Sequence, residues 1–137
     1  MAVRWTPGGV LRIDLQGGLH AWAVMLGEFP HVAFYAMEDG PREGEPLPAA
    51  PLFVVPVERV AYSRGGWGKV LFRVPVAELP PIPLYFRQDE YAVDSCVIVD
   101  RDGSERGASP QECVGLEREA VWGDEHVEDR LRDHYAG

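Results

Sequence analysis

The chain has 137 residues, a formal net charge of −9 and a hydrophobic content of 46%. This length is enough for one domain with a core that needs neither a disulfide nor a metal, and no apolar run approaches the roughly 20 residues that cross a bilayer. The N-terminus lacks an apolar stretch of signal-peptide length and the two cysteines are expected to be reduced, so we predict a single cytoplasmic domain over residues 1–137.

The negative charge lies mainly in the C-terminal part of the chain. Residues 1–80 carry 8 acids against 7 lysines and arginines, whereas residues 81–137 carry 14 acids against 6. An acidic surface repels phosphate backbones and anionic lipids, so we expect neither nucleic-acid nor membrane binding. Such a surface attracts a basic partner protein by electrostatic steering. The alternative is that the charge only keeps a small domain soluble.

The first predicted elements are three strands. In VLRIDL, residues 10–15, apolar residues alternate with Arg12 and Asp14, which is the two-residue period of a half-buried strand. LHAWAVML and HVAFYAM follow, both rich in aromatic and branched residues and separated by a turn. Residues 10–37 are therefore predicted to form a three-stranded meander.

A long loop and a short helix are predicted next. Residues 38–51 contain four prolines and two glycines, which prevent a helix or a strand ladder. LFVVP is predicted to be a core strand, and VERVAYSR a short helix with Val57, Val60 and Ala61 on one face. The double glycine at 65–66 is expected to end this helix, because glycine takes the left-handed conformation without a Cβ penalty.

The segment SRGGWGKVLFRVPV, residues 63–76, has the look of a phosphate-binding loop but lacks two of its residues. Ser63 stands where the first glycine should be, and Val70 replaces the Ser or Thr that contacts magnesium. From Val70 onward, alternating apolar residues predict a strand with one buried face, at a sheet edge because Pro75 has no N–H. The glycines are expected to reverse the chain and place Trp67 over the core.

The rest of the chain predicts a hairpin and two helices. ELPPIPLYF is an extended connector, AVDSCVIVD is a strand, and RDG turns the chain back into a second short strand. SPQE has the pattern of a capping box and starts a brief helix at Pro110. The last helix opens at Asp124, with Val127, Leu131 and His134 on one stripe. These elements predict an α+β fold: a mostly antiparallel sheet or partly open barrel, a short crossover helix and a C-terminal helix.

No pattern in the sequence provides a metal, cofactor or catalytic site. His126 and His134 are about 12 Å apart along one helix, too far for a shared ion. Cys96 and Cys113 lack the second pair that a structural zinc site needs. DRDGSE, from residue 100, starts like a calcium loop, but its glycine comes at the fourth position instead of the sixth. We therefore predict no metal, no cofactor and no enzymatic activity.

Several segments resemble one family in chain order. TPGGVLRIDL resembles the glycine-led first strand of the immunity protein 26 family of bacterial polymorphic toxin systems. HVAFYAM resembles its aromatic third strand, and GGWGKV with VPVAELP resembles its Gly-x-Trp segment and the proline-rich stretch that follows. The resemblance spans about residues 6–85, and the ending GLEREAVWGDEHVEDRL also fits. It implies a cytoplasmic domain that binds a cognate toxin and blocks it, with no catalysis of its own.

The charge pattern suggests which residues contact the toxin. Nucleases, the candidate toxin class, present a basic substrate groove, so an acidic inhibitor can take the place of nucleic acid there and occlude the active site. We therefore predict a basic toxin as partner and a cluster of acids as its binding surface. The predicted toxin-binding residues are Asp89, Glu90, Asp94, Asp100 and Asp102.

Two other classes of function stay open. A non-catalytic adaptor or scaffold domain would bind a peptide or protein through the loop at 38–51 and the sheet edge near Pro75. An enzyme would need a pocket lined by Trp22, Tyr35 and Trp67, although aromatic residues on alternating strands are more typical of a core.

Overall fold

The structure is a computed structural model that describes residues 3–47, 50–64, 66–88, 91 and 95–136. The chain divides into two compact units, Met1–Pro80 with Val121–Gly137, and Pro81–Ala120. Each unit has a β-sheet and an apolar cluster of its own. Within the described residues, no helix is both long enough and apolar enough to cross a membrane.

The first unit is built on a five-stranded antiparallel sheet. Its strands are Gly9–Gln16 (β1), Leu19–Met25 (β2), His31–Tyr35 (β3), Phe53–Pro56 (β4) and Phe72–Arg73 (β5). They lie in the order β4-β3-β2-β1-β5. β1, β2 and β3 form the predicted meander, in which Val10 pairs with Val24 and Trp22 with Tyr35. The alternation of apolar and polar residues explains why β1 is a half-buried strand, since its apolar residues on one face are buried while Arg12 is exposed.

The main apolar cluster of the first unit lies on one face of this sheet, and residues of the other face such as Val10 and Val24 are buried as well. Trp67 is 1% exposed and packs edge-on against Phe34, with ring centroids 5.7 Å apart. Its indole Nε1 donates a hydrogen bond to Glu128 across 3.3 Å, which satisfies the one polar atom of the buried side chain. The expectation that the glycine-rich segment folds Trp67 over the core is confirmed.

Two α-helices belong to this unit. They are Val60–Ser63 (α1) and Asp124–Ala136 (α2). Val127 and Leu131 of α2 are fully buried in the core cluster. The guanidinium of Arg130 lies 3.8 Å from the Phe53 ring centroid and 5.2 Å from that of Trp122, so a cation–π contact also joins α2 to the end strand β4.

The second unit is a four-stranded sheet. Its strands are Tyr85–Gln88 (β6), Cys96–Val99 (β7), Glu105–Ala108 (β8) and Glu117–Arg118 (β9). The order is β8-β7-β6-β9, with β6 and β9 parallel and the other pairs antiparallel. The predicted capping box is present at a 3₁₀ helix, Pro110–Cys113, where Ser109 and Glu112 exchange hydrogen bonds. β7 and β8 form the predicted hairpin.

The predicted fold class is confirmed: the chain has an α+β fold with two antiparallel-dominated open sheets, a short helix and a C-terminal helix. The sheets are open and do not close into a barrel. The strand predicted from Val70 shrinks to β5, because Pro75 has no N–H to donate and Val76 begins a 3₁₀ helix, Val76–Glu78. The position of β5 at the sheet edge agrees with the prediction from Pro75.

The predicted buried faces of both helices need correction. In α1, Val60 is 47% exposed and Tyr62 is buried instead, with its ring 5.7 Å from that of Trp5. Gly65 lies outside the described residues, and Gly66 does not have a positive φ, whereas Gly68 has a φ of +74°. In α2, His134 of the predicted stripe is exposed. The next residue, Tyr135, is directed inward instead, and its hydroxyl donates a hydrogen bond to the His20 carbonyl.

Candidate interaction surface

The turn between β7 and β8 carries two of the five predicted toxin-binding residues. The Asp100 N–H donates to the Ser104 carbonyl across 2.8 Å, and the Gly103 N–H donates to the Asp100 carbonyl across 2.9 Å. Gly103 has a φ of +85°, which glycine adopts without strain. These bonds close the turn tightly and place Asp102 at its tip, where it is exposed.

Both carboxylates of this turn are oriented by the backbone. Oδ1 of Asp100 accepts a hydrogen bond from the Arg101 N–H across 2.7 Å, and Oδ1 of Asp102 accepts one from the Ser104 N–H across 2.8 Å. The hydrogen bonds from Ser104 lower the pKa of Asp102 below its ordinary value. Asp102 is therefore fully ionised at neutral pH, and its negative charge has a defined position.

Neighbouring acids of the second unit are neutralised by arginines. Arg87 forms ion pairs with Glu105 and with Glu119, the latter across 3.6 Å, and Arg106 pairs with Glu112 across 3.3 Å. In the part of the chain that the structure describes, Asp100 and Asp102 form no ion pair, although Arg101 lies between them along the chain. We call residues 100–102 the acidic turn.

The other three predicted toxin-binding residues, Asp89, Glu90 and Asp94, lie outside the described residues. The structure therefore places only Asp100 and Asp102, and it places them in one turn.

The sequence signal for this turn was the RDG stretch after an apolar strand, which also explains why the calcium-loop pattern fails. The glycine of the RDG stretch, Gly103, forms the tight hairpin turn instead. Among the described residues, no group of three or more His, Cys, Asp or Glu could hold a metal.

Two cavities in the first unit are lined by the proline-rich loop, and the smaller one also borders the edge strand β5. Their volumes are about 340 and 240 Å³, and Pro46 and Glu78 line both of them. Pro46 belongs to the proline-rich loop, and Glu78 to the 3₁₀ helix that follows β5. The wall of the smaller cavity includes Arg42, Phe72 and Pro75. Both features that suggested an adaptor, the loop and the edge near Pro75, thus come together at the smaller cavity.

The three aromatic residues considered for an enzyme pocket do not surround one cavity. Trp67 packs on Phe34, and Tyr35 is the next residue of β3, so it points to the opposite face of the sheet. Tyr35 lines the larger cavity, while Trp22 donates its indole N–H to the Met37 carbonyl across 3.2 Å. Trp67 therefore belongs to the core, and the other two lie on the far side of the sheet.

Sequence reasoning missed one arrangement in the second unit. Cys96 and Cys113 are both free and buried, and they lie in the same apolar cluster. Burial and the neighbouring Cys96 thiol raise the pKa of Cys113. Sixteen residues separate the two cysteines along the chain, so no local spacing pattern indicated this contact.

The chain matches no family model, no curated protein and no solved structure. The resemblance to the immunity protein 26 family therefore rests on short sequence segments alone.

Proposed function

We propose that this protein is an immunity protein that binds a basic cognate bacterial toxin and occludes its active site, with a nuclease as the toxin class. The supporting observation is the acidic turn, which presents two exposed carboxylates held by backbone hydrogen bonds. Because nearby acids are already paired with arginines, Asp100 and Asp102 are the acids of this hairpin that remain available to a partner.

The arrangement suits recognition of a basic groove. A carboxylate fixed by the backbone loses little conformational freedom when a cationic partner binds, so more of its electrostatic attraction appears as affinity. A nuclease toxin acts on nucleic acid inside the cell, so the proposal places the immunity protein in the cytoplasm.

Co-expression tests the function directly. An immunity gene is expected directly downstream of its toxin gene, so the neighbouring upstream product is the candidate toxin. Growth of cells that produce the candidate should be arrested, and co-production of this protein should restore growth and yield a co-purified complex. Arrest that this protein fails to relieve, with no complex, contradicts the proposal.

Charge reversal tests the surface. Replacing Asp100 and Asp102 with lysine should slow association with the toxin at least tenfold at low salt, because steering depends on the local potential. Arg101→Glu should have the opposite effect. The matched control reverses two exposed acids of the first unit, Glu43 and Glu45, which changes the net charge equally. Extending the reversal to Asp89, Glu90 and Asp94 tests the full predicted set, and unchanged association kinetics in that variant discard the surface.

A second candidate function is a non-catalytic adaptor that binds an extended peptide beside β5. The smaller cavity favours it, since the proline-rich loop and the sheet edge line it together. Glu78→Lys should then abolish binding of the partner, while the Asp100 and Asp102 reversal leaves it intact. A toxin complex that is lost in the Asp100 and Asp102 reversal but retained in Glu78→Lys contradicts the adaptor function.

A further inference from the structure

The fold brings the only two cysteines of the chain together in the second unit. Cys96 opens β7 and pairs with Ala108 at the end of β8. Ser109 then caps the 3₁₀ helix, and this single turn ends at Cys113. The hairpin and the capped turn together therefore return Cys113 to the side of Cys96, where both side chains share one apolar cluster with Ile98.

The two thiols also border a cavity. Its volume is about 310 Å³, and Cys96, Cys113, Phe86 and Leu116 line it. Val114, another lining residue, is 81% exposed. A small reagent that enters this cavity therefore meets both thiols, although each cysteine is at least 94% shielded from bulk solvent.

We infer that Cys96 and Cys113 are a redox-active dithiol, which forms an intrachain disulfide by exchange with a low-molecular-weight disulfide such as glutathione disulfide. One cysteine thiolate attacks a sulfur of the oxidant and displaces the first glutathione thiolate, which leaves a mixed disulfide. The second cysteine thiolate attacks the protein sulfur of this mixed disulfide and displaces the second glutathione. The two cysteines lose two electrons and two protons in total, and glutathione disulfide is reduced to two glutathione molecules.

The geometry favours the second step. Both side chains lie in one apolar cluster and line one cavity, so the second thiol is close to the first when a mixed disulfide forms there, and the closed disulfide holds its sulfurs about 2.05 Å apart. The thiolate is the attacking species. Because burial and the neighbouring thiol hold the pKa of Cys113 above its ordinary value, closure should accelerate as the pH rises. This inference is independent of the proposed immunity function.

The test uses the unmodified full chain with excess glutathione disulfide at mildly alkaline pH. Intact-mass spectrometry should show a loss of two hydrogens per chain, and a maleimide count after unfolding should fall from two thiols to none. The rate should not depend on protein concentration, and the product should stay monomeric on a non-reducing gel. Thiols that persist, or a disulfide formed between two chains, would overturn the inference.

A cysteine pair that only fills the core gives a different result. Cys113→Ala should accumulate a stable glutathione adduct at Cys96, whereas the unmodified protein resolves this adduct to the disulfide. A lasting adduct on the unmodified protein contradicts the inference. The time course of the unmodified chain decides the matter by itself if the variant does not fold.

Discussion

Gly8 is held in place by backbone on both sides. Its N–H donates to the Met25 carbonyl across 2.7 Å, and its carbonyl accepts from the Val74 N–H across 2.8 Å. Its φ is +81°, and a Cβ added here would overlap the carbonyl oxygen of Val74. Both the dihedral angle and the close approach therefore require glycine at this position.

A pair of glycine substitutions separates these two requirements. Gly17 has a φ of +61° and no atom within 4 Å of its added Cβ, so Gly17→Ala should cost only the dihedral strain, about 1 kcal/mol of unfolding free energy. Gly8→Ala adds displacement of the β5 edge and should cost more than about 3 kcal/mol. Urea denaturation measures both values. Equal costs would mean that the Val74 contact contributes nothing.

Tyr135 shows why one of the helix residues was predicted wrongly. The sequence pattern selected His134, yet it is the Tyr135 hydroxyl that donates to the His20 carbonyl across 2.8 Å and accepts from the Met37 N–H across 2.6 Å. Helical periodicity does not distinguish two adjacent residues at the edge of a stripe. Contacts with residues about a hundred positions away decide between them.

Removal of this hydroxyl should be costly. Tyr135→Phe leaves a carbonyl and an N–H without their partner and should lower the unfolding free energy by about 2 kcal/mol. The matched control is His134→Ala on the same exposed helix end, where a surface substitution should change stability by less than about 0.5 kcal/mol. Thermal or urea denaturation of the two variants compares them directly. If His134→Ala lowered the unfolding free energy more than Tyr135→Phe, the result would support the sequence-based prediction that His134 belongs to the packed stripe.

At the scale of elements, the sequence predicted those whose signal is local. β1 alternates between buried and exposed residues from Leu11 to Gln16, and the Ser109–Glu112 box is formed by neighbouring residues, so both were predicted. β9 has two residues and exists only because it pairs with the distant β6. The acidic turn was predictable from its turn residues, whereas the Cys96–Cys113 contact depends on two successive chain reversals that no single motif encodes.

The capping box also makes a prediction about pH. Hydrogen bonds from Ser109 and the charge of Arg106 lower the pKa of Glu112 below its usual 4.5. Its stabilising effect is therefore complete above about pH 4.5 and disappears as the pH falls through the lowered value. Glu112→Gln should reduce stability near neutral pH, and the difference from the unmodified protein should vanish in acid. A difference that grows on acidification would contradict this assignment.

At the scale of the whole molecule, part of the acidity is offset locally by ion pairs. Of the 14 acids in residues 81–137, several are neutralised locally, as in the pairs of Arg87 with Glu105 and of Arg132 with Asp129. Net charge alone therefore overstates the electrostatic attraction that a cationic partner would experience at close range. In the proposed role, the acidic turn would contribute more than its share of the charge, because its carboxylates are exposed and fixed.

Ionic strength distinguishes a local acidic site from a general negative field. The Debye length falls from about 30 Å at 0.01 M salt to about 8 Å at 0.15 M, so steering by the acidic turn should weaken steeply over this range. If the proposed toxin is the partner, its association rate constant should drop at least tenfold, and the Asp100 and Asp102 reversal should flatten this dependence. The control reversal of Glu43 and Glu45 should retain the slope of the unmodified protein. Stopped-flow experiments at several salt concentrations measure how the association rate constant of each of the three proteins depends on salt. If all three proteins show the same dependence, the steering comes from net charge and not from the acidic turn.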